Sequence, residues 1–167
     1  MSEITVTLPD GSLRTLENGA TLAELASDIG PGLAKAAVIG EVNGIEVDLD
    51  TTLTDGSLVS IITDTSDQGL ETLRHSTAHV LAQAVLDIYP GATFAIGPPI
   101  ENGFYYDFSI PNNEAIKEEN LALIEERMSE IITADQAFKR GETSVEEALL
   151  MFSDHPYKCE IIEAADA

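Results

Sequence analysis

The sequence predicts an α+β protein, in which a small mixed sheet with one helix precedes a largely helical region. Up to residue 62, short apolar runs alternate with polar residues and are separated by Asp10-Gly11 and Asn43-Gly44, which are typical of hairpin turns. From residue 70 onward the spacing of the apolar residues becomes helical. A length of 167 residues allows one ordinary domain or two small ones, and we place a boundary where the pattern changes.

The first hairpin and the first helix are predicted from turn and capping signals. Residues 4–8 and 13–16 flank an Asp-Gly turn, which indicates two antiparallel strands. Thr21 and Glu24 have the spacing of a capping box, and the apolar residues after them share one helical face. We expect this helix to end at residues 30–32, Gly-Pro-Gly, which are interpreted as a C-cap and a turn.

Three further strands complete the predicted sheet. Residues 37–42 are interpreted as a buried strand that returns through a type I′ turn at Asn43-Gly44 into residues 45–47. Residues 58–62 supply the last strand. A mixed sheet of this order with one helix packed on it is the arrangement of a β-grasp module.

The second half of the chain is predicted to contain three helices and two strands. A polar linker leads to Asp67, which is predicted to be the N-cap of a helix that ends before Pro90. Two strands follow, at residues 93–96 and 104–108, and they enclose a loop rich in glycine and proline. The inward face of this first helix comprises Leu70, Leu73, Thr77, Val80, Leu81, Ala84 and Ile88.

The last two predicted helices start from polar caps. One begins at Asn112 or Asn113, with Ile116, Leu121, Ile124, Met128, Ile131 and Ile132 directed inward. The other begins at Thr143 or Ser144, which opens a capping box, and ends before His155. Residues 163–167 are interpreted as a frayed end.

Composition excludes two classes of protein. The chain carries 30 acidic and 8 basic residues, a net charge of −22, whereas a free-standing nucleic-acid binder needs a basic surface to neutralise phosphates. No run approaches ~20 consecutive apolar residues, so we expect no membrane segment. The first residues lack the basic and apolar regions of a signal peptide, and the single cysteine, Cys159, forms no internal disulfide. Both features indicate a cytoplasmic protein.

His75 and His79 are four residues apart on the predicted long helix, which places both imidazoles on one face. Histidine exchanges protons near neutral pH, so two imidazoles around one water suit the hydrolysis of an ester. A zinc-protease helix has Glu directly after its first histidine, whereas this chain has Ser76, so we predict no metal site. The spacing alone is equally compatible with two surface histidines that have no joint role.

Two other positions are candidates for substrate contact. Tyr105 and Tyr106 are neighbours on a predicted strand, so one ring faces the core and the other faces outward or into a cleft. Packing is the simpler interpretation of either ring. Lys158 is suited to hold an anion if it lies near the histidines, and is otherwise an ordinary surface lysine. Cys159 is interpreted as a small apolar core residue.

No segment carries a nucleotide-binding signature. Residues 30–35, with the sequence GPGLAK, lack the Gly-Lys-Ser/Thr ending of a phosphate loop and follow a helix rather than a strand. We therefore expect no ATP chemistry in these residues.

Several motifs together resemble the family of bacterial-type threonyl-tRNA synthetases. The chain contains, in the order found in that family, LPDGS at 8–12, DIGPGLAKA at 28–36, VNG at 42–44, HSTAH at 75–79 and AIGPPIENGFYYD at 95–107. The resemblance covers essentially the whole chain. It implies a TGS domain of β-grasp fold at residues 1–63, a linker at 64–67, and the amino-terminal, incomplete part of an editing domain at 68–167.

The resemblance also implies an activity and a set of site residues. The family attaches threonine to tRNA(Thr) using ATP and hydrolyses mischarged seryl-tRNA(Thr), and this chain resembles its amino-terminal part. His75 and His79 match the editing-site residues that position the attacking water and the terminal ribose, while Tyr106 and Lys158 match those that orient the seryl ester. The family's later Cys-x-x-x-His is absent, because no histidine follows Cys159. Only half of the editing site is therefore implied.

Cofactors and partners follow from the same resemblance. The aminoacylation core, where the family uses ATP, magnesium and zinc, has no counterpart here, so we expect no cofactor in this chain and neither ligation nor efficient editing by the chain alone. The implied partner is tRNA(Thr), bound weakly by so acidic a chain, with Arg74, Lys139, Arg140 and Lys158 as candidates for backbone contact. The parent enzyme is expected to be a homodimer.

Two alternatives stay open. TGS domains also occur in regulatory GTPases and stringent-response enzymes, where they contact ligands or RNA, so the chain is alternatively a binding or regulatory module without catalysis. Those proteins carry phosphate-loop or phosphohydrolase motifs, which this sequence lacks. A free-standing trans-editing protein is the other alternative, although it would need the missing Cys-x-x-x-His.

Overall fold

The computed structural model of the chain describes residues 2–113, 115–137 and 141–165. It divides into two units, Met1–Leu73 and Arg74–Ala167, and the division falls inside a long helix. The domain limits expected from the sequence, residues 1–63 and 68–167, were drawn from other criteria than this division, and they stay predictions.

Five strands of the first unit form a two-stranded and a three-stranded sheet, which one bridge connects. They are β1 (Glu3–Thr7), β2 (Leu13–Glu17), β3 (Ala37–Val42), β4 (Ile45–Val47) and β5 (Val59–Thr63). Strand β1 pairs antiparallel with β2, and β3 lies between β4 and β5, antiparallel to both. A parallel bridge from Thr7 to Leu58 joins β1 to β5, where the Thr7 N–H donates to the Ser57 carbonyl at 2.9 Å. The resulting order, β2-β1-β5-β3-β4, is that of a β-grasp sheet, and the α+β prediction is confirmed.

The predicted turn and capping signals are present in this unit. Asn43 and Gly44 have φ of 53° and 82°, as a type I′ turn requires. Helix α1 (Leu22–Ile29) begins at Thr21, whose hydroxyl accepts from the Glu24 N–H while the Glu24 carboxylate accepts from the Thr21 N–H. These local interactions fix the helix start independently of the packing.

Helix α1 lies close to the sheet because β3 has a glycine beneath it. A Cβ added at Gly40 would come within 2.8 Å of Leu22 Cδ1 and 3.0 Å of the Ser60 carbonyl oxygen. Leu22 is fully buried in the core of this unit, together with Val6, Leu25 and Leu53. The first core therefore consists of large side chains packed against a sheet.

The segment after α1 differs from the prediction. Residues expected to form only a turn continue as a second short helix, α2 (Pro31–Ala36). Proline at the first helical position is favourable because its fixed φ suits a helix start and no N–H is left unsatisfied. The prediction of a turn was wrong because Gly-Pro-Gly was interpreted only as a stop signal.

Helix α3 (Asp67–Ile88) also starts differently from the prediction. Its N-cap is Ser66 rather than Asp67, since the Ser66 hydroxyl accepts from the Gly69 N–H at 3.1 Å and donates to the Thr63 carbonyl at 2.8 Å. Gly69 packs directly on the Thr63 carbonyl, and a Cβ there would overlap it. A glycine is thus required where the helix begins.

The second unit combines short strands with helices. After α3 come β6 (Thr93–Phe94), β7 (Pro99–Ile100), β8 (Gly103–Phe104), β9 (Phe108–Ser109), the 3-10 turn Pro111–Asn113, and helices α4 (Glu118–Thr133), α5 (Val145–Met151) and α6 (Pro156–Ala165). Strand β6 pairs with β9, and β7 with β8. The predicted strand 104–108 is broken into β8 and β9, and the predicted loop between the strands contains the β7–β8 hairpin.

The helical faces of this unit are partly misplaced by the sequence pattern. In α3 the buried residues are small, Ala78, Ala82, Ala84 and Val85, whereas Leu70 and Leu73, in the first unit, are exposed. In α4 the predicted inward residues Leu121 and Ile132 are exposed. Alanines let neighbouring elements approach closely, so they form the interface that a search for large apolar residues misses.

Two helix boundaries were also predicted wrongly. Helix α4 starts at Glu118, because Asn112 has φ of 62° and the Asn120 side chain accepts from the Lys117 N–H. Two acidic residues in its first turn favour that start. Most of the predicted frayed end, residues 163–165, belongs to α6. None of the described helices is both long and apolar enough to cross a bilayer.

Candidate active site

His75 and His79 lie one turn apart on α3, as their spacing predicts. Their rings are stacked, with centroids 4.9 Å apart and planes inclined by 23°. Two parallel imidazoles at the surface of one helix can share a water molecule or a hydroxyl group of a ligand.

His79 also borders a cavity between α3 and α4. The cavity has a volume of about 440 Å³ and is lined by residues that include His79, Val80, Gln83, Ile131, Ile132 and Asp135. Its walls are held together by Arg127 of α4, whose guanidinium bonds to the Asp87 carboxylate of α3 at 2.8 Å. The cavity places an apolar wall next to an imidazole that can exchange protons.

The environment of His79 favours its neutral form. Partial burial lowers the pKa of the His79 imidazole below its usual value near 6.5, and the positive charges of His75 and Lys158 lower it further. A neutral imidazole accepts protons, so His79 is suited to act as a base at neutral pH.

Tyr106 is half-buried between β8 and β9, whereas its neighbour Tyr105 is 51% exposed. The Tyr106 ring packs flat against Gly97, where a Cβ would overlap it. It also stacks on Phe108 with centroids 5.1 Å apart. Burial raises the pKa of the Tyr106 hydroxyl above its usual value, so the hydroxyl stays protonated and available as a donor at neutral pH.

Lys158 lies in the first turn of α6, and its ammonium group sits over an aromatic ring. Its Nζ is 5.1 Å from the centroid of Phe94 on β6. The same ring has Tyr106 on its edge, with centroids 5.7 Å apart and planes at 76°, and His155 at 5.4 Å. Phe94 thus connects Lys158 to Tyr106.

The four residues predicted as site residues form two linked pairs in the second unit, His75 with His79 and Lys158 with Tyr106 across the Phe94 ring. The charge of Lys158 also lowers the pKa of His79. These site residues come from three parts of the chain: α3, the β6–β9 region and α6.

Sequence reasoning missed three residues of this cluster. Gln83 lies one turn beyond His79 and lines the cavity, so continuing the four-residue period would have found it. Phe94 and His155 carry no such signal, because the contacts of Phe94 with His155 and Lys158 join segments far apart in sequence.

Other candidates stand apart from this cluster. Cys159 is half-buried, and its thiol donates to the Phe152 carbonyl at 3.2 Å. Lys139 and Arg140, two candidates for tRNA contact, lie outside the described residues. In the part of the chain that is described, no three His, Cys, Asp or Glu residues are grouped as a metal ion would require, and the expectation of no cofactor stays a prediction.

Comparison with known proteins identifies the first unit. The model of the TGS domain family matches residues 4–63, which contain all but the first residue of the five strands of the first unit. This part of the chain is therefore similar to TGS domains.

The whole chain is similar to a particular group of enzymes. Threonine--tRNA ligase of Citrifermentans bemidjiense is 48% identical over 165 residues, which are 98% of this chain and 26% of that protein. Threonine--tRNA ligases of Natronomonas pharaonis and Rubrobacter xylanophilus are 48% and 46% identical over 100% and 95% of this chain. Nearly the whole chain is thus similar to threonine--tRNA ligases, and it spans about a quarter of their length. The resemblance expected from the motifs is confirmed.

Proposed function

We propose that the chain is the amino-terminal region of a threonine--tRNA ligase and that its second unit supplies part of a site that hydrolyses seryl-tRNA(Thr). The parent enzyme would attach threonine to tRNA(Thr) with ATP, act in the cytoplasm and form a homodimer. The observation that carries the proposal is the convergence of His75, His79, Tyr106 and Lys158 in a chain homologous to these ligases.

A ligase for threonine needs such a second site for a physical reason. Serine differs from threonine by one methyl group, and a binding pocket rejects a substrate that lacks one such group by only about 10- to 200-fold. Hydrolysis of the wrongly formed ester at a separate site supplies the remaining discrimination.

The cluster has the groups that ester hydrolysis requires. His79, kept neutral, accepts a proton from water as the water oxygen attacks the ester carbonyl. The adjacent His75 is placed to hold the ribose of the terminal nucleotide. The Lys158 ammonium and the protonated Tyr106 hydroxyl are donors that orient the seryl ester and stabilise the negative charge on the attacked carbonyl. The bond between the carbonyl carbon and the ribose oxygen then breaks, and the ribose oxygen leaves with the proton that His79 accepted.

We propose that these residues alone are insufficient for either activity. The sequence carries no ATP-binding signature, and the later Cys-x-x-x-His of the family is absent from it. With a net charge of −22, the isolated chain should bind tRNA only weakly. A filter-binding dissociation constant in the nanomolar range at physiological salt would contradict this.

The function is tested in a complete enzyme. These 167 residues replace the matching region of the Natronomonas pharaonis ligase, which aligns with the whole chain. We expect His75→Ala combined with His79→Ala to slow deacylation of seryl-tRNA(Thr) by about 10²-fold or more while threonylation continues.

Matched variants separate chemistry from packing in the same hybrid. Tyr106→Phe removes only the donor hydroxyl and should slow deacylation, whereas Tyr105→Phe, on the exposed neighbour, should not. Lys158→Ala should slow deacylation. Lys117→Ala should leave the rate of deacylation unchanged, because Lys117 is a solvated lysine. If the double histidine variant deacylates as fast as its parent, the editing role is wrong and the alternative of a binding module gains support.

A further inference from the structure

Phe94 occupies a central place in the cluster that the proposed function leaves unexplained. Its half-buried ring has three neighbours in the second unit: the ring of Tyr106, the ring of His155 and the ammonium of Lys158. Neither its sequence position nor the chemistry of a phenyl ring would assign it a catalytic role. Its contacts suggest instead that it controls where Lys158 and Tyr106 lie.

The contact with Lys158 has the geometry of a cation–π interaction. The Nζ lies 5.1 Å from the ring centroid, within the ~6 Å over which the negative face of an aromatic ring attracts a cation. Tyr106 meets the same ring nearly at right angles, an arrangement favoured by the ring quadrupoles. One ring therefore fixes both the cation and the phenol.

Lys158 also has no carboxylate partner among the described residues. This is unusual in a chain with 30 acidic residues, and a cation in the first turn of a helix is disfavoured by the helix dipole. The face of Phe94 supplies the attraction that a carboxylate would otherwise supply. Unlike a carboxylate, it leaves the donors of the ammonium free for a ligand.

His155 holds the start of α6 against this ring. Its carbonyl accepts the N–H groups of Lys158 at 2.9 Å and Cys159 at 3.2 Å, and its imidazole packs on Phe94. The Nδ1 atom of this imidazole is buried without a hydrogen-bond partner. The backbone turn that carries Lys158 is thus anchored to Phe94.

We propose that Phe94 is a positioning residue of the editing site, which holds the Lys158 ammonium on its face and the Tyr106 ring on its edge so that both donors reach the seryl ester. The inference rests on the proposed function, because it assigns Phe94 a part in that reaction. It predicts that the electron density of the ring, and not only its volume, governs the reaction.

Fluorinated phenylalanines test this directly. Mono-, di- and trifluorophenylalanine at position 94 withdraw negative charge from the ring face stepwise with little change in volume. In the hybrid ligase, the trifluoro variant should lower kcat for seryl-tRNA(Thr) deacylation by roughly two- to fivefold, with KM little changed. The same series at Phe104, a half-buried ring on β8, should have no effect. Phe94→Leu should lose more activity than Phe94→Tyr, whose ring keeps the interaction.

A second readout does not depend on catalysis. The 167-residue chain contains four lysines, so the ε-methylene signal of Lys158 in a 13C-lysine spectrum can be assigned with Lys158→Arg. We expect the signal to be displaced by the ring current of Phe94, to lose that displacement in Phe94→Leu, and to change stepwise along the fluorinated series.

The outcomes separate the two proposals. Parallel changes of the Lys158 signal and of kcat support the positioning role. If Lys158→Ala slows deacylation but fluorination changes neither the signal nor kcat, Phe94 is not a positioning residue and the proposed function stands. If Lys158→Ala leaves deacylation unchanged, the editing role of the cluster is itself wrong, and the positioning role with it.

Discussion

The two units bury apolar surface in different ways. In the first unit, large side chains are fully buried in one core, with Leu22, Leu25 and Leu53 at its centre. In the second unit, four of the eight buried apolar residues among those described are alanines, while Leu150 and Met151 are 76% and 69% exposed. The comparison shows that the first unit uses its large apolar residues for its own stability, whereas the second leaves many of them at its surface.

The difference extends to polar groups. In the first unit, hydroxyl and carboxylate groups mostly close turns and cap helices, as Asp10 does by accepting from the Ser12 N–H. In the second unit, the Lys158 ammonium has no carboxylate partner among the described residues, two imidazoles stack on each other, and the buried Nδ1 atom of His155 has no hydrogen-bond partner. Groups without internal partners reduce stability but can bind a ligand, so chemistry is concentrated in the less densely packed unit.

The largest expected effect is the loss of stability that a cavity in the core of the first unit would cause. Leu22→Ala should lower the free energy of unfolding of this unit by about 2–5 kcal/mol, because the leucine is fully buried between α1 and the sheet. Amide hydrogen exchange in β1 and β3 measures this. Leu13→Ala is the control, since Leu13 is 65% exposed and its loss should change exchange little. Equal effects of the two variants would refute the description of this core.

A smaller effect is expected where a glycine supports the candidate site in the second unit. Gly97→Ala should lower the free energy of unfolding of the second unit by about 1–3 kcal/mol and displace the Tyr106 ring, because the added methyl group overlaps that ring. The ring signals of Tyr106 in NMR spectra report the displacement. Gly141→Ala, with open space at its Cβ, should change neither stability nor the Tyr106 signals. Unchanged Tyr106 signals in Gly97→Ala would contradict the packing described for the site.

The titration of His79 tests the electrostatics of the second unit. We expect the pKa of the His79 imidazole to lie below 6.5 in an NMR pH series. This pKa should rise in Lys158→Gln, and it should also rise with added salt, because salt screens the repulsion between the charges. Because the folded-state pKa is lowered, the unfolded chain binds more protons as pH falls below 6.5, so folding stability decreases there. A titration at or above 6.5 would show that His79 lacks these neighbours.

The smallest effect is expected at the exposed apolar surface. Leu150→Asn should change the free energy of unfolding of the second unit by no more than about 0.5 kcal/mol, since the leucine is 76% exposed. Chemical denaturation of the chain, followed by signals from α5 and α6, measures this. A loss comparable to that of Leu22→Ala would mean that this surface is buried in solution, and the contrast between the units would disappear.

Local signals predicted the first unit well and the second unit less well. Capping boxes at Thr21 and Ser144 and the Asn43-Gly44 turn are short-range interactions, so their residue types alone determine them. The alanine face of α3 and the start of α4 were misjudged, because burial depends on what packs against a helix and not only on its own apolar pattern. Helix α6 was not predicted, although Pro156 at its first position is a recognised start signal.

The sequence by itself determined the hairpin turn and capping box of the first unit, the helical spacing that stacks His75 on His79, and the resemblance to threonine--tRNA ligases, because each depends on neighbouring residues or on contiguous motifs. Only the tertiary structure decided that Lys158 and Tyr106 share the ring of Phe94 and that Lys158 lies near enough to His79 to lower its pKa. These contacts join α3, β6 and α6 across long stretches of chain, and no local preference of the residues between them specifies such a meeting.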